Sequence, residues 1–225
     1  MGEAKGHVGR IVWMKGCPSS HHEKSVMRLA STLLATTAVL ALVLPTASQA
    51  LDVYSVSLSG PNESPANASP GTGSGTVTFD MAASTMRVEV TFTGLLSNVT
   101  NAHIHCCTAA AGASTAGVAT VTPTFTLFPA GATFGTYDRT FNMTVATGSW
   151  NNAFVTANGG TTATAFAALT TGAAAGKAYF NIHTSNFPGG EIRGFLAPVP
   201  EPETYALMLG GLGLLAVAAR RRQRA

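Results

Sequence analysis

The chain has 225 residues, 46% hydrophobic and only 10% charged, with a net charge of +3. The positive excess sits at the two ends: residues 51–203 hold four basic side chains (Arg87, Arg139, Lys177, Arg193) against eight acidic ones, a net charge of −4. A nucleic-acid partner therefore has no compositional support.

In chain order, the first readable element is Lys24–Ala50. Lys24 and Arg28 precede the uncharged apolar run Leu29–Leu44, and Ser48-Gln49-Ala50 supplies small residues for cleavage. This is the pattern of a secretory signal peptide cut by signal peptidase, its apolar run shorter than the ~20 residues of a membrane span. Met27 reads as the natural start, and residues 1–50 are taken as an N-terminal extension plus signal peptide. Export into an oxidising compartment also removes Cys17, leaving Cys106 and Cys107 as the cysteines of the body.

Residues 51–197 suit one domain, rich in Thr, Val, Ala, Gly and Ser. Tyr54, Val56 and Leu58 alternate with serines, and Val77, Phe79 and Met81 with polar residues. Met86, Val88, Val90 and Phe92 continue the period of two, the signature of half-buried antiparallel strands. Pro61–Gly75 reads as a mobile polar loop. Further strands are expected at 101–107, 118–127, 134–145, 177–184 and 190–197, with one short helix in the Ala-rich stretch Thr161–Ala174. The expected fold is mainly β: a single antiparallel Greek-key β-sandwich. Trp150 and Phe154 are expected in its core.

Alternation puts His103 and His105 on one strand face and Ile104 and Cys106 on the other. His183 shares a face with Tyr179 and Asn181, and a turn near Phe187-Pro188 would bring it opposite Glu191. Two readings stand. Three imidazoles and a carboxylate can hold zinc or copper in a metal-binding or redox protein, or they form a polar network with Glu191 paired to Arg193 or a histidine and no cofactor. Cys106-Cys107 lacks the CxxC spacing of zinc sites. The pair is expected as a disulfide or redox-inert pair closing the strand, although opposite strand faces oppose ring closure unless the strand ends at Cys106. No G-x-S-x-G, HExxH or phosphate-cradling loop occurs, so no catalytic residue and no enzyme is expected.

The C-terminal end is stereotyped. Val199-Pro200-Glu201-Pro202-Glu203 is stiff and extended, Thr204–Ala219 is apolar and Gly-rich, and Arg220-Arg221-Arg222-Gln223-Arg224 closes the chain. Residues 198–225 thus read as a short transmembrane helix with its basic end on the cytoplasmic side.

Two resemblances follow from these residues. The order Pro-Glu-Pro, apolar helix, arginine cluster resembles the PEP-CTERM sorting signal. That implies recognition of Pro200, Glu201 and Pro202 by an exosortase-type enzyme, with Arg220, Arg221 and Arg222 completing the signal. It also implies transient membrane anchoring and delivery to the cell surface or extracellular matrix, where exopolysaccharide or surface proteins are the expected partners. Leu58–Pro65, Ala102-His103-Ile104-His105 and Tyr179–Gly194 resemble, in order, the "L-x-G-x-x-E-x-P", "A-H-I-H" and "Y-x-N-x-H-T-x-x-x-P-x-G-E-I-R-G" blocks of the CHRD domain over about 53–197. That resemblance implies an extracellular β-sandwich, with an analogy to the copper/zinc superoxide dismutase sandwich, and no general enzymatic activity. Cys106-Cys107 departs from the Gly/Pro-rich loop the family usually carries there.

Overall fold

The structure, a computed structural model, describes residues 51–200 and 202–224. The expected signal peptide and Glu201 lie outside the described residues.

Eight strands follow in chain order: β1 (Asp52–Ser59), β2 (Thr72–Asp80), β3 (Thr85–Thr93), β4 (Val99–His105), β5 (Gly135–Asn142), β6 (Tyr179–Thr184), β7 (Ile192–Phe195) and β8 (Ala197–Pro198). They form one antiparallel sheet in the order β4-β6-β7-β1-β2-β3-β5, with β8 beside β1. β3 is next to last at one end and β4 closes the other, so the chain crosses over to begin β4 and crosses back for β5. The sheet curls around a shared core. Phe125, from the segment after β4, lies 5.7 Å from Phe180 on β6 and 5.1 Å from Phe141 on β5. The two ends of the sheet therefore share one aromatic cluster.

The halves of the sheet differ in how they are covered. On β1, β2, β3 and β5 the side chains alternate, with Tyr54, Val56, Leu58, Val77, Phe79, Met86, Val88, Val90, Phe92, Tyr137 and Phe141 buried. Met81, expected inward, is exposed instead, because β2 ends at Asp80 and Met81 begins the turn to β3. β4, β6 and β7 are largely buried on both faces, and all six residues of β6 are buried. The inner face carries Ile104, Phe180, Ile182 and Ile192; the outer face carries the polar residues that build the site.

Helix α2 (Thr162–Ala174) forms where expected, opened by a capping box between Thr161 and Thr164. Its Phe166 packs edge-on against Phe79 at 6.0 Å. A short helix α1 (Asn152–Ala157), capped by Asn151, precedes it and was not anticipated. Trp150 and Phe154 are buried and stack at 6.0 Å.

Two loop expectations need correction. Residues 118–127 form no strand. Pro123 lacks a donor in the middle of the stretch, and threonine side chains replace backbone acceptors: Thr124 Oγ1 accepts from Ala102 N (2.9 Å) and Thr120 Oγ1 from Ile104 N (3.0 Å). Backbone N–H groups of Ala119 and Phe125 return bonds to the carbonyls of Ile104 and Ala102. The segment thus covers the edge of β4 through one isolated bridge, Val118 to His105, and these bonds rather than as a further strand, which meets the need of an edge strand for cover. Residues 61–75 are likewise no free loop. Asn67 Nδ2 donates to the Glu191 carbonyl (3.0 Å), Ser69 Oγ bonds the Glu191 carboxylate, and β2 begins already at Thr72.

At the C-terminus, helix α3 (Pro202–Gln223) carries Arg220, Arg221 and Arg222 in its last turn, and Tyr205–Arg224 are exposed. The expectation of a transmembrane helix is corrected in one respect: no helix among the described residues is long and apolar enough to cross a membrane. The fifteen residues Tyr205–Ala219 extend about 22 Å at the helical rise, against about 30 Å of hydrocarbon.

Replacing Thr120, which is fully buried, by valine keeps its shape and strands the Ile104 N–H. Thr120→Val is expected to lower unfolding stability by about 1–3 kcal/mol. Thr136→Val on the exposed face of β5 is expected to change it by less than about 0.5 kcal/mol, both read from urea denaturation.

Candidate metal centre

The site is set by register. β4 and β6 pair so that His103 lies opposite Asn181, Asn101 opposite His183, and His105 opposite Tyr179. Period-two alternation sends all these side chains to the outer face. The rings of His103 and His183 are 4.7 Å apart between centroids, as are those of His103 and His105. One nitrogen from each of His103, His105 and His183 lies within 4.8 Å of the others, and all three residues are buried, at 5%, 9% and 8% exposure.

Hydrogen bonds settle which nitrogen of each ring carries the proton. His103 Nδ1 faces the Pro123 carbonyl (3.1 Å), His105 Nδ1 the Ala116 carbonyl (2.8 Å) and His183 Nδ1 the Pro188 carbonyl (2.8 Å). A carbonyl only accepts, so each Nδ1 is the N–H, and each Nε2 keeps a bare lone pair. His103 Nε2 and His183 Nε2 then face each other at 2.9 Å, two acceptors at hydrogen-bond distance. His105 Nε2 is buried without any partner.

Two bare lone pairs at this distance repel unless a positive charge lies between them. A proton is disfavoured: burial, then the neighbouring imidazoles, pushes His103 down to about 3, and burial pushes His105 down to about 4 against the opposing bond to Ala116. Burial lowers His183 too. Rings kept neutral, with Nδ1–H anchored on backbone carbonyls, match the arrangement in which imidazole ligates a metal through Nε2.

Glu191 does not join this cluster. One of its oxygens accepts from Ser69 Oγ and Leu96 N (both 2.6 Å), and the other from Thr184 Oγ1 (2.6 Å). Strand β7 starts only at Ile192, so alternation does not reach Glu191, and it fastens three segments of chain together. It is not paired with Arg193 either. Arg193 sits 4.8 Å over the Tyr179 ring, and Tyr179 stacks on His105 at 4.7 Å and 4°. The guanidinium donates to the carbonyls of Asn62 and Ser114 and faces Glu63 at 3.7 Å.

Glu63 and Asn181 were not singled out in sequence. Each is buried with one unpartnered oxygen (Glu63 Oε1, Asn181 Oδ1), and both crowd the α-carbon of Gly190, whose φ is +127°. A side chain at Gly190 would overlap them. The signal available was position: Glu63 stands in the opening CHRD-like block, and Asn181 shares strand parity with His183.

Cys106 and Cys107 are joined in a vicinal disulfide across a cis peptide bond, just beyond the end of β4. Since the strand stops at His105, its alternation does not separate them. Cys106 is buried and Cys107 exposed. Gly172 of α2 lies against both sulfurs, where any Cβ would overlap them.

Residues 54–196 match the family model of the CHRD domain, and residues 198–222 match that of the PEP-CTERM protein-sorting motif. No curated protein and no solved structure matches. The chain belongs to the CHRD-domain family. Its sorting motif marks a protein that is exported, held transiently at the membrane and processed by an exosortase-type enzyme.

Glu63 yields a pH prediction. Burial raises its carboxyl from 4.5 to about 7, against the opposing charge of Arg193 and the Ser64 N–H. Between those values the folded chain holds a proton that the unfolded chain has lost. The contribution of this group to stability therefore falls as pH rises through that window. Glu63→Gln removes the slope. The difference in urea midpoint between variant and wild type is expected to move in favour of the variant between about pH 5 and about pH 8.

Proposed function

We propose that this CHRD-domain protein, once exported, is a non-enzymatic surface or matrix module that holds one divalent transition-metal ion through His103, His105 and His183. The observation that carries the reading is that three buried imidazoles each bring a nitrogen within 4.8 Å of the others while every Nδ1 is committed to a backbone carbonyl.

Chemistry narrows the ion. Three imidazoles suit zinc or copper. Calcium and magnesium need oxygen ligands, and the carboxylate expected to supply one, Glu191, is fully engaged elsewhere. A bound ion would cross-link β4 to β6, and through the Nδ1 bonds it would tie in the loops carrying Ala116, Pro123 and Pro188. The role is then binding and structural reinforcement in an exposed compartment. No catalytic motif in the sequence argues for turnover.

Purified exported protein, reconstituted with Zn²⁺ or Cu²⁺ and dialysed, is expected to retain one equivalent by elemental analysis. His103→Ala and His183→Ala are expected to retain none while keeping the β-type circular dichroism. Metal at about 100 times its Kd should add about 2.7 kcal/mol to the stability of the wild type alone. A wild-type protein that takes up neither ion leaves the histidines as a metal-free polar network and overturns the reading.

The export half of the proposal is tested by intact mass. The surface or medium form is expected to begin after Ala50 and to end near Pro200-Glu201-Pro202. A cytoplasmic chain intact to Arg224 would contradict it.

A further inference from the structure

We infer that the metal held by His103, His105 and His183 takes its remaining ligand from outside the chain, and that this ligand is a small exchangeable monoanion of the hydroxide, halide or azide type. The inference rests on the metal reading above and concerns what completes the coordination sphere.

The argument is one of charge. Three imidazoles are neutral donors, so a divalent ion bound by them alone keeps its full +2 in a site where every ligand is more than nine-tenths buried. An uncompensated buried charge is costly unless a counter-charge approaches. Each nearby source is otherwise engaged. Glu191 accepts three hydrogen bonds outside the cluster. Cys106 and Cys107 are bonded to each other and offer no thiolate. Glu63 faces Arg193 at 3.7 Å, and its unpartnered oxygen lies over Gly190 rather than among the histidines. Arg193, stacked on Tyr179, which is itself stacked on His105, adds positive potential on that side. Among the described residues no other His, Cys, Asp or Glu belongs to the cluster.

Three protein ligands plus an exogenous fourth is the composition of an open zinc or copper site, whereas a closed structural site has four from the protein. Binding needs no redox partner. A lone pair of the anion forms one dative bond to the metal, a coordinated water leaves, and the oxidation state is unchanged. With hydroxide, the coordinated water stays and releases a proton to solvent.

The test uses the full exported protein loaded with one equivalent of Cu²⁺ and titrated with sodium azide at constant ionic strength. The expected result is a saturable azide-to-copper charge-transfer band with one azide per copper, reversed by competing thiocyanate. Glu63→Gln, which leaves the three histidines in place, is expected to show the same band at the same midpoint. Stoichiometric copper with a spectrum that azide leaves unchanged would overturn the inference while leaving the metal reading intact. A band that appears only in Glu63→Gln would also overturn it, because Glu63 would then be the fourth ligand. Failure to bind copper or zinc at all is seen before azide is added, and removes both readings together.

Discussion

Complete burial of β6 on both faces is the constraint from which the rest of the molecule follows. A strand with one wet face can leave its polar side chains to water, but a strand covered on both sides cannot. On the inner face Phe180 and Ile182 meet the aromatic core. On the outer face Tyr179, Asn181 and His183 must find partners in the protein, and loops descend to provide them. The carbonyls of Ala116, Pro123 and Pro188 each take one imidazole N–H. What remains is a set of lone pairs pointing at one another. The arrangement that covers the strand is therefore the same one that concentrates acceptors at a point.

The covering depends on side chains acting as backbone. Thr120 and Thr124 replace main-chain acceptors along β4, so the outermost strand is protected by an irregular segment. Glu191 bonds Ser69, Leu96 and Thr184 at once, binding the loop before β2, the connection after β3 and the end of β6 to one carboxylate. Asn67 repeats the pattern with the Glu191 and Gly190 carbonyls. Two glycines serve the same end by allowing close approach. Gly190 admits Glu63 and Asn181, and Gly172 admits the vicinal disulfide beside α2.

The sorting motif and the histidine cluster lie in different stretches of this chain. The basic residues cluster in residues 1–50 and in the arginines after Ala219, while the body is acidic. Helix α3 and its arginines carry the sorting signal, and Tyr205–Arg224 are exposed. Removing that end would leave an acidic β domain whose positive potential near the histidines comes from one buried arginine, Arg193.

Periodicity, composition and motif order determined the mainly β class, the inward set of β1, β2 and β3, the Ala-rich helix, the C-terminal sorting motif, and the shared face of His103 and His105. These are local properties, because alternation and composition act over a few residues. It could not determine partners that depend on register and on where a strand stops. Glu191 was expected beside the histidines, yet β7 begins one residue later and frees its side chain to turn to Thr184. Residues 118–127 alternate like a strand, yet Pro123 and the hydroxyls of Thr120 and Thr124 keep them out of the ladder. Whether His183 meets His103, and which ring nitrogen faces it, was decided by the pairing of β4 with β6 and by the carbonyls of Pro123, Ala116 and Pro188. Register and loop placement decide such contacts, and the pairing of β4 with β6 brings together His103 and His183, which the sequence holds 80 positions apart.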